Sequence, residues 1–370
     1  MRIWHLIDTL EVGGAETMVA TLCRWQKSAG LSPSVHCLHR GGKIAEQLSA
    51  DGIPVRIHGE RSLIRLGFRL RRLMQTERPD VIHCHNEAAA IAGAPAAAAA
   101  NIQNVVATRH GLVPPGVFFR REIKFWAAAR FCRYVVAVCR TAYRNLAQGP
   151  LAIPEKLVTI YNAAAPARRG PASADDGRKI CEEGDFAIIN VARHSKEKDL
   201  DTLLSAYHLA RRQAPSMRLI LVGSGALTQD LRQQAAGLGI AQDVRFLGER
   251  SDIGCLLAQA NLFVLSSVSE GTPISLLEAM EAGLPQVVTN VGGMPEILDL
   301  SGGGLVVPPR SPEPLAEALL RFANDEILRK ECGEKSRDCY YRQFTPERMT
   351  SDYLALYTKA VPMPGQKSIP

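Results

Sequence analysis

Short apolar runs alternate along the chain with longer stretches in which apolar residues return every three or four positions. The first kind reads as buried strands and the second as helices laid against them. Residues 2–8 form the opening run, 9–14 a glycine-bearing loop, and 15–28 a helix with Met18, Val19, Leu22 and Trp25 on one face. Further strands are expected at 34–38, 54–58, 81–85, 104–108, 134–138 and 157–161, with helical patterns between them. Strands and helices alternating in this way imply βαβ units, hence parallel sheets with helices on both faces.

Residues 163–180, AAAPARRGPASADDGRKI, break the rhythm. Their Ala, Pro, Gly and Ser content and mixed charge mark a domain boundary. The alternation then restarts, with strands at 186–191, 217–222, 244–247, 262–265, 286–289 and 304–307. Helices begin at Leu200 and Leu227, and a long charged helical tail closes the chain. A length of 370 residues suits two domains. We assign 1–165 to the first, 166–345 to the second, and 346–370 to a tail returning to the first. The expected fold class is α/β, two doubly wound Rossmann-like domains facing across a cleft, with ligands held at the carboxyl ends of the strands.

Composition narrows the function classes. Residues 1–10 lack the apolar core of a secretory leader. Residues 88–100, nearly all Ala with Gly93 and Pro95, are too weakly hydrophobic to span a membrane. A cytoplasmic location is expected, and nine cysteines without a paired framework fit reduced thiols. His83-Cys84-His85 and His36-Cys37-x-His39 resemble metal-ligand spacings. Alternation along a strand sends neighbours to opposite faces, so neither is expected to gather its donors.

The net charge of +7 is uneven, because residues 1–165 hold 21 Lys+Arg against 11 Asp+Glu. A basic first half suggests an acidic partner. No nucleic-acid recognition motif accompanies it, so anionic lipid or a phosphorylated acceptor is expected instead. Residues 61–74, RSLIRLGFRLRRLM, and the basic, aromatic segment 118–134 suit peripheral contact with the inner face of the membrane. The alternative is helices packed on the sheet with their arginines in water.

The densest chemistry lies in 266–298. The run 262–265 ends in a polar loop, Thr272-Pro273 opens an amphipathic segment over 274–282, and Gly283 stops it. Glu270 falls on the loop and Glu278 within the helix. Backbone N–H groups from Gly271 onward lie at the positive end of the helix dipole, a seat for an anionic or hydroxyl-rich ligand. Gly13-Gly14-Ala15-Glu16 follows the first strand without the three-glycine dinucleotide spacing. It reads either as a tight turn or as a close backbone approach to an anion.

Ser267, Glu270, Gly271, Glu278, Ala279, Met280, Gly283, Pro285, Gly292, Gly293, Pro295 and Glu296 together resemble the donor-binding signature of glycosyltransferase family 4, the glycosyl transferases group 1. These are retaining nucleotide-sugar enzymes of GT-B fold. The resemblance covers the whole chain, most closely 186–300. It implies transfer of a sugar from a UDP- or GDP-linked donor to a hydroxyl of a glycan or lipid-linked acceptor, in the synthesis of cell-envelope glycan, lipopolysaccharide or exopolysaccharide.

The resemblance also implies roles. Arg193 and Lys198 hold and neutralise the diphosphate, although the family's flanking glycines are replaced by Ala192 and Asp199, which leaves Lys196 as a second candidate. Glu278 binds ribose hydroxyls, and Glu270 with the stretch Gly271, Thr272, Pro273 and Ile274 holds the transferred sugar. His110, in a Thr-x-His-Gly context, touches that sugar from the other domain. Gly13 and Gly14 lie near the donor phosphates. Gly223, Gly225, Gly248 and Arg250 stand in loops flanking the nucleobase, or are ordinary turn residues. Asn162 matches only part of a family turn. No cofactor and no divalent ion are implied, since no Asp-x-Asp cluster stands near these residues. The rival readings are a sugar-nucleotide epimerase or phosphorylase of the same fold, and a non-catalytic nucleotide-sugar-binding protein.

Overall fold

A computed structural model describes residues 1–11, 13–112, 119–149, 151–166 and 179–358. Position 118, most of the expected interdomain linker (167–178) and the end of the expected tail (359–370) lie outside the described residues. The chain divides into two units, Met1–Ala163 with the last helix, and Ala164–Thr345.

In the first unit β1 (Arg2–Thr9), α1 (Gly14–Ser28), β2 (Ser32–Arg40), α2 (Lys43–Ala50), β3 (Val55–Ile57), α3 (Leu63–Glu77) and β4 (Val81–His85) follow one another. Then come α4 (Asn86–Ala99), β5 (Val105–Arg109), α5 (Phe119–Ala129), β6 (Tyr134–Ala137), α6 (Arg140–Ala147) and β7 (Leu157–Thr159). Among the described residues these strands form one sheet of order β3-β2-β1-β4-β5-β6-β7, every pair parallel. Both faces are covered, so β4 and β5 are buried along their whole length. The alanine-rich α4 lies close on the sheet at Gly93, where a Cβ would come within 2.8 Å of the Leu6 side chain.

The second unit runs β8 (Phe186–Val191), α7 (Leu200–Arg211), β9 (Met217–Val222), α8 (Thr228–Gly237), β10 (Val244–Gly248), α9 (Ile253–Leu257) and β11 (Leu262–Leu265). It continues with α10 (Ile274–Glu281), β12 (Gln286–Thr289), α11 (Met294–Ser301), β13 (Gly304–Val307), α12 (Pro312–Asn324) and α13 (Glu326–Gln343). Its sheet has the order β10-β9-β8-β11-β12-β13, again all parallel. The charged tail resolves into α12, α13 and a last helix, α14 (Pro346–Thr358), which packs on α1 of the first unit.

Two sequence expectations are corrected. Helix α10 starts at Ile274 with Pro273 as its cap residue, so Pro273 precedes the helix instead of opening it. In α5, Phe125 and Trp126 are fully buried in one core cluster with Val105 and Val135, so these two rings of the basic segment pack on the sheet and are not open to a membrane, while Phe131 beyond the helix is 51% exposed.

Candidate functional site

Strand order in the second sheet reverses between β8 and β11. Loops leaving two such neighbours diverge and open a crevice at the carboxyl ends of the strands. The loop after β8 carries Arg193 and Lys198, and the loop after β11 carries Glu270. Lys198 Nζ forms an ion pair with Glu270 Oε1, the two side chains only 21% and 10% exposed. Ser267 Oγ donates to the same carboxylate oxygen at 2.7 Å.

The pair is held by its backbone. Ser266 Oγ donates to the Lys198 carbonyl at 2.9 Å, and Val268 N to the Glu197 carbonyl at 2.9 Å. These bonds stitch the short helical turn Lys196–Lys198 to the β11 loop. Lys196 is exposed, so Lys198 is the lysine that meets the carboxylate. Asp199, where the resembling family has glycine, adopts φ 48°. That left-handed backbone suits glycine, and aspartate is among the few other residues that tolerate it. Arg193 is exposed beside this turn.

A third loop, after β12, presses on the Glu270 loop. Gly292 has φ 60°, and a Cβ there would come within 2.0 Å of the Glu270 carbonyl oxygen. Gly293 N donates to the Gly271 carbonyl at 2.8 Å. Only a residue without a side chain allows the approach at position 292, which gives the first glycine of the signature's Gly-Gly a physical reason. Thr272 and Pro273 are buried, and Gly271 and Ile274 half-buried, leading into α10. Within α10, the half-buried Glu278 carboxyl is pushed up to about 7, first by desolvation and then by the Glu281 charge.

The loops after β9 and β10 complete this edge. Gly223 N donates to the Gly248 carbonyl at 2.7 Å, and both glycines have positive φ. Gly225 packs on the backbone of His194, whose Nδ1 lies 2.9 Å from Thr228 Oγ1. Arg250 forks onto Asp252 with bonds of 2.8 and 2.7 Å, so any nucleobase contact by Arg250 shares that guanidinium.

Gly13, Gly14 and His110 belong to the first unit. Gly13 caps α1 in an extended conformation, and the space around a Cβ on Gly14 is open. Glu16 accepts from Thr9 Oγ1 at 3.2 Å, tying the helix start to β1. His110 follows β5, with its backbone N–H donating to Asn86 Oδ1 at 3.1 Å. Burial lowers His110 to about 3, and its Nδ1 is buried without a hydrogen-bond partner among the described residues.

The histidine expectation is also corrected. Residues two apart on a strand share a face, so His83 and His85 point the same way, and the register β1 to β4 sets His5 opposite His83. The three rings bring ligand atoms within 4.8 Å of one another. All six ring nitrogens have protein partners, from Gln26, Thr108, Tyr357 and His110 or within the trio. Hydrogen bonding therefore accounts for the cluster, and each ring would lose a partner to ligate a metal. Sequence reading also missed Ser267 as a partner of Glu270, and Gln26. Among the described residues no helix is long and apolar enough to cross a membrane.

Residues 12–168 match Glycosyltransferase Family 4 and residues 175–338 match Glycosyl transferases group 1. N-acetyl-alpha-D-glucosaminyl L-malate synthase of Bacillus anthracis is 30% identical over 47% of this chain and 46% of that protein, so the match spans less than half of it. The Escherichia coli UDP-Gal:alpha-D-GlcNAc-diphosphoundecaprenol alpha-1,3-galactosyltransferase is 27% identical over 72% of this chain and 73% of that one. Among solved structures, Anabaena HepE in complex with UDP has a TM-score of 0.85 at 22% identity, covering 97% of this chain and all (100%) of the other. HepE has also been solved with UDP-glucose.

Two all-parallel Rossmann-like units with ligand loops at the strand ends define the GT-B fold. With both halves matched, the chain belongs to glycosyltransferase family 4.

Proposed function

We propose that this protein is a retaining glycosyltransferase that moves a sugar from a nucleotide-diphosphate donor to a hydroxyl acceptor in cell-envelope or extracellular polysaccharide assembly. The observation that carries this reading is the shielded Lys198–Glu270 pair at the β8/β11 switch. An ammonium has three donors, so Lys198 can keep Glu270 and still bond phosphate oxygens. Arg193 supplies a second cation, and fixed positive charge stabilises the diphosphate as it leaves. Glu270, oriented by Lys198 and Ser267, accepts from the sugar's hydroxyls and faces the positive charge developing at its anomeric carbon. Glu278 takes the ribose hydroxyls. The acceptor hydroxyl attacks on the face the diphosphate leaves. Its oxygen bonds the anomeric carbon as the carbon–phosphate-oxygen bond breaks, its proton passes to that phosphate oxygen, and configuration is retained.

The UDP and UDP-glucose held by HepE, and the UDP-Gal in the Escherichia coli relative's name, support a UDP-linked donor. The diphosphoundecaprenol in that name supports a lipid-linked acceptor. On α3, Ile64 and Phe68 are 75% and 68% exposed beside Arg65, Arg69, Arg71 and Arg72. They border a groove of about 260 Å³ between α3 and α4, which suits peripheral contact with anionic lipid near such an acceptor.

The test is transfer from labelled UDP-, GDP- and ADP-sugars to lipid-linked acceptors in the presence of a chelator, with the product's anomeric configuration read by NMR. Transfer from a UDP-sugar with retention is expected, falling about 10²–10³-fold in Glu270→Gln. An inverted product would overturn the retaining mechanism. Tight UDP binding with no turnover of any donor would leave a nucleotide-sugar-binding protein, and dependence on a divalent ion would overturn the two-cation scheme.

A further inference from the structure

A row of hydrogen-bonded side chains runs through the first unit from α1 to the end of β5. Gln26 Oε1 lies 2.8 Å from His5 Nε2, His5 Nδ1 lies 3.0 Å from His85 Nε2, and His85 Nδ1 lies 3.1 Å from His110 Nε2. Gln26, His5 and His85 are buried, and His110 Nδ1 ends the row, buried and without a hydrogen-bond partner among the described residues. Burial holds His5 at about 4, His110 at about 3 and His85 well below its ordinary value. Each ring is therefore neutral near pH 7 and carries one proton on one nitrogen.

That single proton fixes the direction of the row. An amide oxygen only accepts, so His5 donates from Nε2 and is left with a bare Nδ1. His85 must then donate to it from Nε2, and His110 must donate to His85 Nδ1 from its own Nε2. His110 Nδ1 is left as a lone pair. With the amide reversed, an N–H would face His5 and every tautomer in the row would reverse with it.

We infer that Gln26 is a positioning residue for His110: its side-chain carbonyl sets, through His5 and His85, the tautomer that leaves His110 Nδ1 a hydrogen-bond acceptor. An acceptor nitrogen takes a hydroxyl hydrogen and repels a phosphate oxygen, which has no hydrogen to give. A hydroxyl-bearing group is therefore the ligand chemistry this nitrogen accepts, and that the group belongs to the donor's sugar rests on the proposed function.

The first test needs no turnover. In protein labelled with nitrogen-15 at histidine, pyrrole-type and pyridine-type ring nitrogens separate by NMR, with assignments from single His→Phe variants. We expect His5, His85 and His110 all protonated at Nε2. In Gln26→Met, similar in shape but without an amide, the His110 signal should become a mixture of tautomers, and Gln26→Glu, which keeps an accepting oxygen, should restore one. A proton on His110 Nδ1 in the native protein, or native tautomers unchanged in Gln26→Met, overturns the inference whatever the enzyme's activity. The second test is binding: Gln26→Met should weaken UDP-sugar about tenfold and leave UDP unchanged. Equal weakening of both would show a structural role only.

Discussion

Glu278 shows what one side chain adds to a family motif. Its carboxyl is raised to about 7 by desolvation and by Glu281, so near neutral pH it is only partly charged. The charged form accepts ribose hydroxyls best. Affinity for a UDP-sugar, whose diphosphate does not titrate here, should therefore rise several-fold from about pH 6 to about pH 8. Calorimetry should find that slope in the native protein and none in Glu278→Gln; a flat native profile would remove Glu278 from the ribose site. Gly292 offers a second case. Gly292→Ala would set a Cβ 2.0 Å from the Glu270 carbonyl oxygen at φ 60°, so the loop must shift. Turnover should fall by about 10²-fold, as displacement of a catalytic group does, and thermal unfolding should shift down because φ 60° strains alanine; normal turnover would show that the loop tolerates movement. Glu270 and both glycines were legible in the sequence because a dense motif fixes their spacing, whereas Lys198 stood beside Lys196 as one of two candidates until its contact with Glu270 set it apart. The closeness of Gly292 to Glu270 was not legible, since it depends on how the loops after β11 and β12 stack.

Elements were read more accurately than their partners. Strands β4, β8, β9, β11, β12 and β13 begin and end where the apolar runs do; all but the half-exposed β13 are buried on both faces, and strands so covered are near-continuous apolar stretches. The His83–His85 pair was misjudged for want of the same-face rule at spacing two, and His5 joins it through a register that no single strand encodes. The two basic segments part company on burial. Trp126 in α5 is fully buried, whereas Phe68 in α3 is 68% exposed. Trp126→Ala should lower unfolding free energy by about 3–5 kcal/mol. Ile64→Ser with Phe68→Ser should leave stability within about 0.5 kcal/mol per site yet weaken sedimentation with phosphatidylglycerol vesicles. Unchanged sedimentation would place these residues in some other contact, and a large loss of stability would mean the helix face is not free.

At the scale of the molecule, the chain leaves its first unit at Ala163, builds the second, and returns as α14. The return closes the first sheet's polar interior. Tyr353 Oη lies 3.0 Å from Thr108 Oγ1, Tyr357 Oη lies 2.7 Å from His83 Nδ1, and Asn104 Nδ2 donates to the Tyr357 carbonyl at 2.6 Å. Met349, Tyr353, Leu356 and Tyr357 are buried by the same contact. Removing residues after Thr345 would strip apolar cover from the first unit and leave His83 without its tyrosine, while the contacts within the second unit stay in place. All three tryptophans, Trp4, Trp25 and Trp126, lie in the first unit, so their fluorescence reports that unit alone. In urea the truncated chain should lose its tryptophan signal at a clearly lower midpoint, with part of the helical circular dichroism persisting to the native midpoint. Superimposable fluorescence transitions for the full and truncated chains would show that the last helix contributes nothing to the unit it covers.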